Sequence, residues 1–335
     1  MRRGARSGLY TMVAIHSTVR GPSLGGCRMW AYEDTGEAVR DVLRLARAMT
    51  FKAAAADLPL GGGKGVIALR PGTALTSARR RAALLDFADT VDQLGGRYIT
   101  AEDVGTSSRD MTVIRGVTPH VGGLARARGG SGDPSPYTAL GVLTAIEVSC
   151  ERALGSSSLR GRAVAVVGLG HVGSRVARLC ARAGAQLIAA DIDPAKREVA
   201  RELGARWMTP AQALEAEVDV LAPCALGGVL DADVTPRLRC RTVAGAANNQ
   251  LADDSVADLL HARGILWAPD FVVNAGGIIN IAVELEGPYD PRRARAAVRG
   301  IGDTLREIYD ISARMQTTPL TAAMELARKR LTAAR

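Results

Sequence analysis

An apolar run, Ala163 to Val167, ends at Gly168-Leu169-Gly170-His171-Val172-Gly173, and residues with helical spacing follow at once. Little else in the chain limits its fold so tightly. Gly168 permits a sharp turn, Gly170 lets a pyrophosphate approach the main chain, and Gly173 lets the helix sit close on the strand with its N-terminus toward the phosphates. The next strand, Gln186 to Ala190, ends at Asp191, 18 residues beyond Gly173. A carboxylate there accepts hydrogen bonds from an adenosine ribose and repels a 2′-phosphate, so the expected cofactor is NAD, with NADP as the alternative. Strand candidates at Val218 to Ala222, Thr242 to Ala244 and Ile265 to Trp267 alternate with helical stretches. That alternation predicts a doubly wound parallel sheet, a Rossmann dinucleotide-binding domain.

A different α/β pattern precedes it. Leu9 to Ser17 and Cys27 to Tyr32 read as strands, and Val39, Val42, Leu43, Ala46 and Met49 recur at helical spacing. Asp34 with Glu37 three residues on predicts a capping box, and Lys52 falls near the C-terminal end of that helix. Leu58-Pro59-Leu60-Gly61-Gly62-Gly63-Lys64 reads as a tight loop, and Gly65 to Leu69 as a buried strand with Lys64 at its entrance. A helix over about residues 77–94 and a strand from Arg97 to Ala101 lead to Glu102-Asp103-Val104-Gly105-Thr106. The run Gly129 to Pro136 breaks every pattern and marks a hinge. With 335 residues, 47% of them hydrophobic, the chain exceeds one core. The expected fold class is α/β: a substrate-binding domain at 1–133 and the Rossmann domain at 134–302, with a cleft between them. An amphipathic helix at about 303–335 would pack back on the first domain.

Composition excludes several classes. No apolar stretch approaches the ~18–20 residues that span a bilayer, and no signal-peptide pattern opens the chain, so no membrane association and a cytoplasmic location are expected. The five cysteines have irregular spacings and the four histidines are isolated, which predicts free thiols and no metal site. A net charge of +9 raises the question of nucleic acid. Aromatics at 4% and the absence of any binding motif leave solvated arginine faces as the better account, with no nucleic-acid partner expected.

Of 43 basic residues only four are lysine: Lys52, Lys64, Lys196 and Lys329. Generic positive charge is thus supplied by arginine, and a retained lysine stands out. Arginine does not release its proton near neutral pH, whereas a lysine can when its surroundings disfavour the cation. Two of the four flank the triple glycine. Alone, Lys52 reads equally as a helix-end cation favoured by the macrodipole. Lys64 has glycines on both sides, which leave room for a ligand against the backbone.

Met49-Thr50-Phe51-Lys52-Ala53 running into Leu58 to Gly65 resembles the substrate-site signature of the glutamate, leucine, phenylalanine and valine dehydrogenase family. Further stretches match in order: Gly21 to Met29, Thr100 to Thr106, Gly132 to Pro136, Pro223 to Gly227, Ala246 to Gln250 and Pro269 to Gly277. The resemblance covers nearly the whole chain. It implies that Gly25, Gly26 and Lys52 hold the substrate carboxylate, that Lys64 activates water at an iminium carbon, and that Asp103 exchanges protons with the amino group. Asn248 then fixes substrate near the nicotinamide, and Arg28, Ser135, Thr138, Ala225 and Asn274 contact the cofactor. The implied partners are an L-amino acid, its 2-oxo acid and ammonia, in a homo-oligomer. Family members carry an extra N-terminal segment ahead of Gly8-Leu9-Tyr10, so either translation starts upstream of Met1 or the assembly differs.

The positions that line the family's side-chain pocket match Leu24, Ala101, Ile278 and Ile281, all apolar. A glutamate carboxylate buried there would lack a partner, so glutamate is disfavoured. The wording Glu102 to Thr106 is closest to the leucine and valine enzymes, which implies branched-chain substrates. The alternatives are an aromatic amino-acid dehydrogenase and a non-catalytic nucleotide-binding regulator.

Overall fold

The glycine run of the first half is strand rather than loop in the computed structural model, which describes residues 1–334. Unit 1 comprises Met1–Pro134, Ile281–Pro291 and the residues from Ala327 onward. Its sheet contains β1 (Arg2–Arg3), β2 (Tyr10–Ser17), β3 (Ser23–Ala31), β4 (Gly61–Leu69) and β5 (Tyr98–Glu102), in the order β1-β2-β4-β3-β5. The chain between strands forms α1 (Thr35–Ala55) and α2 (Ser77–Asp92), with α3 (Ser108–Arg115) after β5. Strand β3 runs parallel to both β4 and β5, while β2 is antiparallel to β4.

The loop expected at 58–64 is overturned by packing. A methyl group at Gly61 would overlap the Ser17 carbonyl, at Gly62 the main chain of Thr50 in α1, and at Gly65 the ring of Phe87 in α2. These glycines are there because a neighbouring backbone or ring lies directly on the strand. Side chains alternate across a strand, so Gly62 and Lys64 face α1 while Gly65 faces α2. Lys64 therefore projects from mid-strand, opposite Ala14 of β2, and not from a strand entrance. Beneath α1 the core holds Met12, Val42 and Val66; beneath α2 it holds Ile67, Leu84 and Phe87. The cap of α1 forms as Asp34 accepts from the Glu37 amide at 2.7 Å. The return bond comes from the Glu33 amide to the Glu37 carboxylate at 2.9 Å, one residue earlier than a regular capping box.

Unit 2 comprises Ser135–Asn280 and Arg292–Leu326. Helix α4 (Ser135–Leu154) leads to β6 (Ala163–Val167), then α5 (Gly173–Arg182) and β7 (Gln186–Ala190). The remaining strands are β8 (Arg206–Met208), β9 (Glu217–Pro223), β10 (Arg239–Val243) and β11 (Leu266–Trp267). All pair parallel in the order β11-β10-β9-β6-β7-β8. The chain winds outward from β6 to β8 and resumes at β9 on the other side of β6, the doubly wound switch at which α/β sheets bind ligands. The tail is two helices, Ile301–Met315 and Pro319–Thr332, rather than one. Gln316 turns left-handed with φ +50°, and Pro319 has no amide to continue a helix. Among the described residues no helix is long and apolar enough to cross a membrane.

Gly62→Ala is expected to destabilise the protein by about 1–3 kcal/mol, because the Thr50 backbone cannot retreat from a strand packed against α1. Urea denaturation checks this: an unchanged midpoint would mean that the strand is less tightly covered than described.

Candidate active site

Strand β3 separates the two elements that carry the rarest chemistry. Lys64 lies on β4 and Asp103 just past the end of β5, and both strands pair with β3. Lys64 is 5% exposed, and its Nζ stands 2.9 Å from Oδ2 of Asp103. Gly26 of β3 makes the approach possible, since a Cβ there would come within 2.7 Å of the Asp103 Cβ. Lys52 is in the last turn of α1, on the sheet face to which Lys64 points. Thr50, of the same turn, rests on Gly62.

The turn after β5 explains why the Asp103 carboxylate is available. Thr106 Oγ1 accepts from the Asp103 amide at 3.0 Å and donates to the Cys27 carbonyl at 2.8 Å. Gly105, with φ +80°, lies against the Met29 carbonyl, where a side chain has no room. Thr106 thus shapes the turn, and the Asp103 side chain is left to meet Lys64. Arg28 joins from β3, its Nε donating to Asp103 Oδ2 at 3.0 Å and its Nη1 to Asp41 Oδ2 at 3.1 Å. Tyr32 also donates to Asp41 Oδ2, at 2.8 Å. Burial pushes the Asp103 carboxyl up, but the Lys64 and Arg28 cations outweigh it and hold it below the usual aspartate value. The adjacent Cys27 thiol is pushed well up by burial and then by Asp103, so it stays protonated.

Three of the expected side-chain pocket residues belong to unit 1 and are buried: Leu24, Ala101 and Ile281. Two glycines that the sequence reading missed lie against them. A Cβ at Gly122 would come within 2.7 Å of Ile281 Cγ2; one at Gly123 would lie 3.8 Å from Ile281 Cδ1 and 3.9 Å from Ala101 Cβ. Glu284 holds this segment through three main-chain bonds. It accepts from Gly123 at 3.0 Å, Leu124 at 3.3 Å and Ser131 at 2.8 Å. No local pattern could have signalled a contact across such a sequence separation. Ile278 stands one turn before Ile281 on the same helix, Gly276–Leu285.

Within unit 2 the glycine motif divides its labour. Gly168 has φ +104° and abuts Ala225, Gly170 faces open space, and Gly173 lies so close to the Gly168 carbonyl that no side chain fits. Asp191 accepts from the Leu169 amide at 2.6 Å and the Asp193 amide at 2.9 Å, which braces the turn from the end of β7. Asn274 donates to Asn248 Oδ1 at 2.8 Å, bringing two of the expected residues together. Gly276 presses on Tyr137 and Thr138, which places the first turn of α4, Ser135 included, beside the Asn274 segment. Buried Gln250 sets the Asn248 loop by donating to the Gly245 carbonyl at 2.8 Å and accepting from Trp267 Nε1 at 3.1 Å. Among the described residues the Asn274 Oδ1 is buried without a hydrogen-bond partner. An orphaned acceptor and a glycine cradle open at Gly170 fit a dinucleotide with an amide to donate. No three His, Cys, Asp or Glu among the described residues cluster as metal ligands.

Residues 1–120 match the family model described as Glu/Leu/Phe/Val dehydrogenase, dimerisation domain, and residues 190–334 that of Glutamate/Leucine/Phenylalanine/Valine dehydrogenase. Residues 145–225 also match the D-isomer specific 2-hydroxyacid dehydrogenase, NAD binding domain. A leucine dehydrogenase of Thermoactinomyces intermedius is 43% identical over 99% of this chain and 89% of its own length. A phenylalanine dehydrogenase of Lysinibacillus sphaericus is 40% identical over 95% and 84%. The crystal structure of L-tryptophan dehydrogenase from Nostoc punctiforme superposes with a TM-score of 0.85 at 38% identity, covering 98% of this chain and 94% of that one.

Because the native Asp103 carboxyl titrates below its ordinary value of 3.8, its stabilisation is complete above that value and is lost as pH falls through the lower native one. The stability gap between wild type and Asp103→Asn, followed by urea denaturation from about pH 7 to about pH 2, is expected to hold steady and close only at the acid end. A gap that already narrows near neutrality would mean that the cations do not hold the carboxyl down.

Proposed function

The chain belongs to the glutamate/leucine/phenylalanine/valine dehydrogenase family and is an NAD-dependent amino-acid dehydrogenase; we propose that its substrates are branched-chain aliphatic L-amino acids, deaminated reversibly to 2-oxo acids and ammonia. The observation that carries the chemistry is the buried contact of 2.9 Å between Lys64 and Asp103 on a face walled by glycine. Lys52, with the main chain at Gly25 and Gly26, holds the α-carboxylate. Asp103 takes a proton from the amino group, which frees the nitrogen lone pair. A bound NAD would supply the acceptor for the hydride released from the α-carbon. Lys64, which first gives up its own proton to solvent, then takes one from the water that attacks the iminium carbon, and Asp103 returns its proton to the leaving nitrogen as the carbinolamine collapses to the 2-oxo acid and ammonia. Arginine in place of Lys64 would hold its proton and stop that step.

In unit 2, Gly168, Gly170 and Gly173 would cradle the pyrophosphate, Asp191 the adenosine ribose, and Asn274 Oδ1 the carboxamide N–H, with Ser135, Thr138 and Ala225 as further contacts. Leu24, Ala101, Ile278 and Ile281 present no polar partner, which supports an aliphatic side chain and opposes glutamate. The leucine dehydrogenase relative supports the same choice. The phenylalanine and tryptophan dehydrogenase relatives favour an aromatic substrate as the second possibility. A homo-oligomer is supported by the dimerisation-domain match over residues 1–120, and a cytoplasmic setting by five free cysteines.

NADH formation from a panel of L-amino acids is expected to favour valine, leucine or isoleucine over phenylalanine and glutamate by at least about tenfold, within the range a hydrophobic pocket can discriminate. A tenfold preference for phenylalanine would overturn the substrate assignment, and equal rates with NADP would remove the role given to Asp191. Lys64→Ala is expected to lose about 10²–10⁴ in kcat; undiminished turnover would sink the proposed acid/base role.

A further inference from the structure

We propose that Arg28, held from behind by Asp41, is a positioning residue for deamination: it fixes which oxygen of Asp103 faces the substrate amine. The inference rests on the function proposed above and on one geometric fact. Two cations converge on a single oxygen, Lys64 Nζ at 2.9 Å and Arg28 Nε at 3.0 Å, both on Asp103 Oδ2. Oδ1 takes neither of these two contacts and is the oxygen assigned to the amine.

Arg28 can do this because it spans two carboxylates. Its Nε serves Asp103 and its Nη1 serves Asp41 on α1, so the guanidinium plane is fixed at two points. Asp41 is itself held by Tyr32 at 2.8 Å and by Arg44 at 2.8 Å. A lysine at position 28 has one terminal nitrogen and cannot hold both groups in one plane. The outer side of this relay opens on a cavity of about 340 Å³, lined by Arg28, Trp30, Tyr32, Arg40, Asp41 and Arg44 together with Glu37. Arg28, an expected cofactor contact, has two of its nitrogens engaged by carboxylates of unit 1.

The charged and titratable groups around Asp103 are Lys64 from β4, Arg28 and Cys27 from β3, and Tyr98 from β5. Burial pushes the Cys27 thiol and the Tyr98 phenol up, so both stay neutral, and the Lys64 and Arg28 cations hold the carboxylate ionised. Removing the Arg28 charge must let Asp103 keep its proton to higher pH. Deamination needs Asp103 ionised, so the acidic limb of the kcat profile moves upward.

The test compares wild type, Arg28→Gln, Arg28→Lys and Asp41→Asn in pH profiles of kcat and KM, with the Asp103 carboxyl titration followed by carbon-13 NMR. Expected are a fall in kcat of about ten- to hundredfold with little change in amino-acid KM, an acidic limb displaced upward in Arg28→Gln, and a matching upward shift of the carboxyl titration. Asp41→Asn keeps the Arg28 charge, so it should lower kcat with a smaller displacement; it also carries the test if the Arg28 variants do not fold. Unchanged kcat and limb, or a rise confined to the KM for NAD, would overturn the proposal. The NMR titration is independent of turnover, so a wild type inactive on every amino acid would refute the function without deciding the role of Arg28.

Discussion

A cation buried to 5% exposure in the middle of a sheet must be paired, or the protein pays its full desolvation. Lys64 is that cation, and much of unit 1 is arranged to bring Asp103 to it. The two groups come from different strands on either side of β3, so the contact depends on a bare central strand at Gly26. It depends equally on a turn whose own hydrogen bonds are satisfied by Thr106 rather than by the aspartate. Without Asp103 the Lys64 cation would lose its carboxylate, whereas without Lys64 the Asp103 carboxylate would keep Arg28 at 3.0 Å. The pair proposed as the reactive centre is therefore also a constraint on the strands that carry it.

The same economy governs the arginines. A chain with 39 of its 43 basic residues as arginine uses the fixed charge where geometry matters and keeps a lysine at position 64, where the proposed chemistry moves a proton. Arg28 bridges two carboxylates, and Arg80 donates to both oxygens of Asp110 at 3.2 and 2.7 Å. Such forked contacts suit a planar group that never titrates.

Much of the second unit is legible in the sequence. The strands Ala163 to Val167 and Gln186 to Ala190 fall where the apolar runs lie, because buried parallel strands show as continuous hydrophobic stretches bounded by glycine. The three-residue strand β8 carries too little sequence to announce itself. In the first unit, Gly61 to Gly63 were misread as a loop. Glycine reports only the absence of a side chain, and turn freedom and close approach leave the same letter in the sequence. Lys52, Lys64 and Asp103 stood out through rarity and resemblance. Asp41, Tyr32, Gly123 and Glu284 did not, since their importance lies in contacts between distant segments that no local period encodes. The tail was read as one helix because the amphipathic spacing persists across the break at Gln316.

Glu284 carries a consequence for biosynthesis. Its carboxylate binds main-chain amides at Gly123, Leu124 and Ser131, and the segment Ile281–Pro291 belongs to the unit that opens the chain. As the polypeptide leaves the ribosome, the leading unit must wait for about the last sixth of translation before the wall beside Ala101 can close. Unit 2 contributes an almost uninterrupted stretch in the interval, Ser135–Asn280, and can form its sheet first. A nascent chain halted before residue 281 would hold Lys64 and Asp103 in a unit still missing part of its wall.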